Sequence, residues 1–172
     1  MARRSVTSPV PRVSLPPFQR LLDDHGRDVH RFLIATVGPA AADDCYQETW
    51  LAALRAYPRL RDASNLRGWL LTIAHRKAID HFRAGRRTAL PVGDLEEGAL
   101  GAAPPQAPEP DGNVWAHVRR LAPKQRHAVA LRFVADAAYA EISAAMGITE
   151  EAARRNVHEG LKRLREEYRD DP

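Results

Sequence analysis

The sequence predicts an all-α protein of two small helical modules joined by a flexible linker. Apolar residues recur at steps of three and four in the first and last parts of the chain, as on one face of an amphipathic helix. Between these parts, residues 88–112 are rich in Pro, Gly and Ala, a composition that buries too little apolar surface to offset its ordering entropy. We therefore expect modules at 18–87 and 113–172, an acidic linker at 88–112, and a disordered basic tail at 1–17.

The first module is expected to hold three helices. The first covers 18–37 and is ended by the glycine–proline pair that follows it. The second begins at Asp43 and Asp44, because negative charge is favourable at a helix amino terminus, and it ends at Pro58. A long third helix is expected over about 66–83.

The second module is expected to hold four helices. A short helix precedes Pro123, which is placed to begin the next one. A two-turn helix over 139–146 ends at Gly147, where a helix end often needs the left-handed conformation that glycine adopts cheaply. Thr149 can then cap the final helix. Two helices joined by a tight glycine turn form a helix-turn-helix, whose second helix can enter the major groove of DNA.

The final helix has an apolar and a polar face. Its inward positions follow a spacing of four, four, three and four: Ala153, Val157, Leu161, Leu164 and Tyr168. The residues that must then face outward are Glu151, Arg154, Arg155, His158 and Lys162. Arg can pair with guanine in a bidentate way, and Lys or His can contact phosphate. A solvated basic face on an ordinary helical hairpin explains the same pattern, so the period alone leaves both interpretations open.

Three stretches resemble the extracytoplasmic-function (ECF) RNA polymerase sigma factors, over roughly residues 18–168. DDCYQETWLAALRAYPRL is similar to a segment of the family's region two, and GWLLTIAHRKAIDHFR is similar to the helix that follows it. LAPKQRHAVALRFVADAAYAEISAAMGITEEAARRNVHEGLKRLR resembles region four throughout. Residues 152–156 read AARRN where the family commonly has Thr-Val-Lys-Ser-Arg, so the DNA sequence that this helix reads does not carry over.

The resemblance implies three sets of binding residues. The set implied to bind core RNA polymerase is Asp43, Asp44, Gln47, Glu48 and Leu51. The set implied to bind the minus-ten element and its melted non-template strand is Arg59, Arg61, Ser64, Asn65, Trp69, Arg76, Lys77 and His81. The outward set of the final helix is implied to bind the duplex minus-thirty-five element. By family analogy, an anti-sigma factor that holds the modules closed is a further candidate partner.

Some of these residues have a plain structural explanation. Asp44 and Glu48 are four apart and share a helix face, which a favourable acidic helix start on solvent explains as well as a basic partner does. A flipped base needs stacking or a shaped pocket, and the strand needs cations. Trp69 could supply the stacking, although a tryptophan at helical spacing is more often part of the core.

Composition and motifs exclude several classes of protein. No apolar run approaches the ~18 residues that a membrane span needs, and the basic amino terminus lacks the apolar centre of a secretion signal. Cys45 is the single cysteine, which rules out an internal disulfide and a cysteine-rich zinc site. No histidine pair has metal-ligand spacing, and no glycine-rich phosphate loop is present. We expect a cytoplasmic protein without membrane insertion, cofactor, metal or enzymatic activity.

The sequence therefore predicts a sigma factor that binds core polymerase, directs it to promoters and opens the minus-ten element. Two alternatives stay open at this stage. A stand-alone helix-turn-helix regulator would bind duplex DNA without polymerase, usually as a dimer, yet no dimerisation helix is evident beyond the modules. A helical interaction adaptor would bind no DNA at all.

Overall fold

The computed structural model describes residues 14–89 and 114–170, which form seven α-helices and one short 3-10 helix. No strand occurs in these two ranges. The helices of the first range are α1 (Phe18–Val37), α2 (Pro39–Ala56) and α3 (Leu66–Ala89), with the 3-10 helix Tyr57–Arg59 after α2. Those of the second range are α4 (Val114–Arg120), α5 (Pro123–Phe133), α6 (Tyr139–Met146) and α7 (Glu150–Asp170). The all-α fold with two helical modules is confirmed.

In the first module, α1, α2 and α3 pack on one another around buried apolar side chains. Phe32 and Leu33 of α1 and Leu70 and Leu71 of α3 belong to this core, and each is at most 1% exposed. Gly38 makes the reversal between α1 and α2 with a φ of 87°, a left-handed value that disfavours residues with a Cβ atom. The short connection keeps α1 and α2 antiparallel neighbours.

In the second module, α7 packs across α5 and α6. Gly147 ends α6 with a φ of 65° and a ψ of 37°, as the sequence predicted. Thr149 caps α7 by accepting a hydrogen bond of 3.1 Å from the backbone N–H of Ala152, also as predicted. Gly160 lets α7 approach α5, because a Cβ atom there would lie 2.7 Å from a methyl group of Val129. Local sequence signals thus fix the helix-turn-helix geometry.

The two modules pack against each other. Helix α3 contacts α6, and helix α1 contacts both α4 and α5. One cluster of buried side chains runs from Leu33 and Leu70 in the first module to Leu131 and Ile142 in the second. The hydrophobic periodicity gave no sign that the chain alone adopts this closed arrangement, because a periodic apolar face shows that a residue is buried and not which element covers it.

Several local expectations differ from the structure. Helix α2 begins at Pro39, so the expected start at Asp43 and Asp44 is wrong; proline favours the first helical position, and the helix starts a turn earlier. Helix α3 continues to Ala89, into the range expected to be linker. Tyr168, expected to face inward, is 50% exposed.

The segment before α1 also differs from the expectation of a disordered tail. Residues 14–17 are described, and Leu15 packs against the core. The hydroxyl of Tyr57 donates a hydrogen bond to the carbonyl of Pro16, which ties this segment to the end of α2. The remainder of the expected tail, and the expected linker beyond Ala89, lie outside the described residues.

Candidate functional site

The outer face of α2 carries carboxylates beside exposed leucines. The sequence-predicted residues of this helix are all exposed: Asp43, Asp44, Gln47, Glu48 and Leu51. Leu51 is 52% exposed and Leu54, on the same helix, is 51% exposed. We call the five predicted residues together with Leu54 the α2 surface. Large exposed apolar side chains next to one another, rimmed by charge, are typical of a protein-binding surface.

Leu54 was missed as a candidate for this surface. It lies three residues after Leu51, a spacing that places both on one helix face, and that spacing was a usable signal. The sequence could not show which face of α2 the core would cover. Trp50 and Ala53 fill the core instead, at 7% and 0% exposure, and this turns the two leucines outward.

Two carboxylates of the α2 surface already have basic partners within the first module. The Asp43 carboxylate lies 2.8 Å from Nε2 of His30 on α1. The Glu48 carboxylate lies 3.4 Å from the Lys77 ammonium on α3. Asp44 has no such contact among the described residues. Lys77 was predicted to bind DNA, but its ammonium contacts a carboxylate of the α2 surface, which was predicted to bind polymerase.

The 3-10 helix and the loop between it and α3 hold four of the residues predicted to bind the minus-ten element, and all are exposed: Arg59, Arg61, Ser64 and Asn65. Asp62 shapes this loop by accepting a hydrogen bond of 2.8 Å from the backbone N–H of Ser64, which lowers the pKa of the carboxyl. The side-chain oxygen of Asn65 accepts a hydrogen bond of 2.7 Å from the N–H of Gly68, in the first turn of α3. These contacts give the loop a fixed shape.

Asn65 also joins the two modules. Its amide nitrogen donates a hydrogen bond of 2.9 Å to the carboxylate of Glu141 on α6. Burial opposes the ionisation of Glu141, but the hydrogen bonds from Ala138 and Asn65 and the nearby charge of Arg67 outweigh it and lower the pKa of this carboxyl. An ionised second-module residue therefore contacts the loop that was predicted to bind DNA.

The predicted DNA-binding residues of α3 divide into exposed and packed side chains. Arg76 and His81 are exposed. The ring of Trp69 is half-buried against the core, and its centroid lies 6.1 Å from that of Tyr57. Trp69 therefore contributes to packing in this closed arrangement, whereas Arg76 and His81 are available to a strand.

The five outward residues of α7 are all exposed, as the sequence spacing predicted. The guanidinium of Arg154 lies 3.2 Å from the carboxylate of Glu150 and 5.2 Å from the ring centroid of Tyr139. Arg132 lies over the same ring, at 5.3 Å, and donates a hydrogen bond to the carbonyl of Ala137. Tyr139 thus holds an exposed arginine through a cation–π contact, which periodicity could not reveal.

The described residues show no arrangement suited to metal chemistry or to membrane insertion. No group of three or more His, Cys, Asp or Glu side chains is placed to hold a metal ion in residues 14–89 and 114–170. None of the helices in these ranges has the length and apolar character required to cross a membrane. Burial raises the pKa of the Cys45 thiol to about 11, with a smaller contribution from Glu48 and Asp44.

Comparison with protein families matches both modules. Residues 21–88 match the model for Sigma-70 region 2, and residues 118–166 match the model for Sigma-70, region 4. The chain is 31% identical over 152 residues to the RNA polymerase sigma factor CarQ of Myxococcus xanthus, covering 87% of each chain. It is 30% identical over 161 residues to the ECF RNA polymerase sigma factor BldN of Streptomyces coelicolor, covering 90% of this chain and 61% of BldN.

Two solved structures share the fold. One is the sigma factor RpoE in complex with the anti-sigma factor NepR from Bartonella quintana, with a TM-score of 0.71 and 21% identity over 90% of this chain and 98% of that one. The other is CnrH in complex with the cytosolic domain of CnrY, with a TM-score of 0.67 and 19% identity over 90% of this chain and 89% of that one.

Proposed function

The chain belongs to the ECF RNA polymerase sigma factors, and from this premise we propose how its two modules divide the work. As a member of this family, it binds core RNA polymerase and directs it to promoters. We propose that the first module grips the polymerase and opens the minus-ten element, while the second docks on the minus-thirty-five element. The observation that carries this proposal is an exposed apolar and acidic helix surface in the same chain as an exposed basic helix-turn-helix face.

The α2 surface is assigned to the polymerase. Leu51 and Leu54 would enter an apolar groove, and the carboxylates beside them would meet basic side chains at its rim. Asp44 is the best placed carboxylate for this purpose, because Asp43 and Glu48 already have internal partners. The apolar anchors would supply most of the affinity, and the charges would set orientation.

Opening of the minus-ten element is assigned to the loop before α3 and to the exposed cations of that helix. The fixed shape of the loop, made by Asp62 and by the Asn65 contact with Gly68, suits it to hold a flipped base without a large ordering cost. Arg76 and His81 would follow the phosphates of the released strand. We assign Trp69 a role in packing against the core and none in DNA binding.

Recognition of the minus-thirty-five element is assigned to the outward face of α7. The amino-terminal turns of a recognition helix reach base edges in the major groove, which gives Arg154 and Arg155 the reading role. His158 and Lys162 lie one to two turns further along and would contact phosphate. Glu151, in the first turn, would accept a hydrogen bond from cytosine.

The proposal also includes regulation by a protein partner. Both solved neighbours were determined in complex with another protein or its domain, and one of these partners, NepR, is named as an anti-sigma factor. We therefore expect an anti-sigma factor for this chain, acting on the closed form. Since the family consists of transcription initiation factors, we expect the polymerase, and not this chain, to carry out the catalytic chemistry of transcription. We expect no enzymatic activity in this chain and place it in the cytoplasm.

The test is to mix the purified full chain with sigma-free bacterial core polymerase and follow co-elution by gel filtration. A one-to-one complex is expected, followed by initiation from promoters selected out of a genomic library. Elution of the chain apart from the polymerase at every salt concentration would contradict the proposal and favour a stand-alone helix-turn-helix regulator.

A further inference from the structure

Two histidines meet in the interface between the modules. His75 lies on α3 and His127 on α5, and they are 6% and 1% exposed. Their Nδ1 atoms are 2.7 Å apart, and their ring centroids are 4.7 Å apart. At this distance one Nδ1–H donates to the other Nδ1, which must carry a free lone pair. The contact therefore requires that at least one of the two rings be neutral.

The surroundings of this pair contain aromatic rings and cations. The ring centroid of Phe32 on α1 lies 6.1 Å from that of His127, and the centroid of Phe82 on α3 lies 6.2 Å from it. The guanidinium of Arg126, on α5 like His127, lies over the Phe82 ring at 4.8 Å. It donates hydrogen bonds to the carbonyls of Thr36 on α1 and Leu121, at 3.4 Å and 3.1 Å.

Every charge that acts on the pair is positive. Arg76 on α3 acts on His75, and Arg126 on α5 acts on His127. From α1 the pair meets the uncharged Phe32 ring. No carboxylate among the described residues offsets these cations at the pair. An imidazolium formed here would be buried beside like charge, which is strongly unfavourable.

The pKa values of both histidines agree with this geometry. Burial, and then the charge of Arg76, lower the pKa of His75 from 6.5 to about 4. Burial, and then His75 and Arg126, hold the pKa of His127 well below 6.5. Nε2 of His127 is buried without a hydrogen-bond partner among the described residues, so a proton placed there would find no acceptor.

We propose that His75 and His127 form a proton-sensitive latch, which holds the two modules closed at neutral pH and releases them in acid. Separation of the modules exposes both rings to water, where each binds a proton near its ordinary pKa. The closed form binds fewer protons than the open form, so it is favoured above about pH 6.5 and loses its advantage as the pH falls below that value.

The size of the response follows from the number of protons taken up on opening. Each pH unit below about 6.5 multiplies the open-to-closed ratio by about ten for every histidine that is neutral when closed and charged when open. One titrating histidine thus gives a change of about tenfold per unit, and two give up to about a hundredfold. The response of His75 continues down to about pH 4.

The consequence for transcription rests on the proposed function, whereas the opening itself does not. Separation of the modules would break the hydrogen bond between Asn65 and Glu141 and so release the loop assigned to the minus-ten element. Acidification would then act as a signal that raises the fraction of chain able to engage a promoter. The latch can be tested on the isolated chain, so its failure is distinguishable from failure of the sigma assignment.

The experiment measures the distance between the modules in the full chain by single-molecule energy transfer. Dyes are attached at Gln19→Cys on α1 and Glu166→Cys on α7, both exposed positions, with Cys45→Ala to remove the native thiol. The open-to-closed ratio is expected to rise about fivefold to thirtyfold between about pH 6.5 and about pH 5.5, because each histidine is already half protonated in the open form at the upper limit. Far-UV circular dichroism over the same range should stay constant, which separates opening from unfolding.

Variants with glutamine provide the decisive comparison. His75→Gln together with His127→Gln keeps side chains that can form a neutral hydrogen bond but cannot take up a proton, so the ratio should not change with pH. Each single variant should retain about tenfold per unit at most. His25→Gln removes a histidine outside the pair and should respond like the unmodified chain. A flat ratio in the unmodified chain, or a full response in the double variant, would overturn the latch.

Discussion

The side-chain amide of Asn65 donates a 2.9 Å hydrogen bond to the carboxylate of Glu141, so a loop of the first module is joined to the helix-turn-helix of the second. The same asparagine caps α3 through its oxygen, which accepts from the N–H of Gly68. One residue thus shapes the loop assigned to the minus-ten element and engages it with the second module. In the function proposed above, promoter binding and the closed arrangement would therefore compete for the same side chain.

An exchange of side chains tests this competition. Asn65→Asp retains an oxygen acceptor for Gly68 but places a second carboxylate against Glu141, and it should raise the open-to-closed ratio about tenfold. Adding Glu141→Gln restores a donor and an acceptor across the interface and should return the ratio toward that of the unmodified chain. The measurement is the energy-transfer assay described above. Equal ratios for all three chains would show that this contact does not hold the modules together.

The exposed leucines of α2 should matter for polymerase binding and not for folding. Leu51→Ala with Leu54→Ala should weaken the affinity for core polymerase by roughly tenfold to a hundredfold, as expected for removal of apolar anchors. The melting temperature should barely move, because each side chain is about half exposed. Titration of labelled chain with core polymerase and a thermal scan provide the two values.

Tyr168→Ala is the matched control for these leucines. Tyr168 is 50% exposed, but it lies on α7, in the second module. Its removal should leave the affinity for core polymerase within about twofold. A similar loss in both variants would mean that general surface hydrophobicity, and not this surface, determines binding.

The parts of the fold that were predictable from sequence depend on local signals. Gly147 and Thr149 end one helix and start the next through their own conformational preferences and hydrogen bonds, with no information from elsewhere in the chain. The outward set on α7 followed from the spacing of Ala153 and Val157 in the same way. Short-range rules suffice where the partner of a residue lies within a few positions of it.

The parts of the fold that were not predictable depend on residues far apart in the sequence, or on a motif that can indicate either the end of one helix or the start of the next. Gly38 and Pro39 were interpreted as the end of α1, but proline at the first helical position also starts α2, which moved Asp43 and Asp44 away from the helix end. The contact of His75 with His127 joins residues 52 positions apart. No periodicity relates two such positions, so only the packed structure brings them together.

The arginines of α7 should separate promoter recognition from polymerase binding. Arg154→Ala with Arg155→Ala removes the two side chains assigned to base reading, and initiation from a cognate promoter should fall about tenfold to a hundredfold. The affinity for core polymerase should be unchanged, because the α2 surface is intact. Run-off transcription and co-elution measure the two quantities on the same preparations.

Arg20→Ala is the control for this pair. Arg20 lies 3.6 Å from the carboxylate of Asp24 in the same helix, much as Arg154 pairs with Glu150, but it belongs to α1. Its replacement should leave initiation unchanged. Loss of polymerase binding in the α7 double variant would contradict the proposed division of labour between the modules.

The stack of Arg132, Tyr139 and Arg154 predicts that an aromatic ring in α6 orients a reading residue in α7. The guanidinium of Arg154 lies 5.2 Å from the ring centroid, a distance at which the quadrupole of the ring attracts the cation. Tyr139→Leu removes this attraction and frees the arginine to explore other rotamers. The affinity for promoter DNA should fall by roughly threefold to tenfold, and discrimination at the base read by Arg154 should weaken.

Tyr139→Phe distinguishes orientation from mere packing. Phenylalanine keeps the ring that the guanidinium faces and loses only the hydroxyl, so it should restore both affinity and discrimination. Leucine also fills the site with apolar volume, so a role limited to packing would show little difference between leucine and phenylalanine. Binding is measured with duplexes altered one base pair at a time across the minus-thirty-five element. A uniform loss at every base pair in Tyr139→Leu would indicate a weakened helix-turn-helix, whereas a loss confined to one position would identify the base that Arg154 reads.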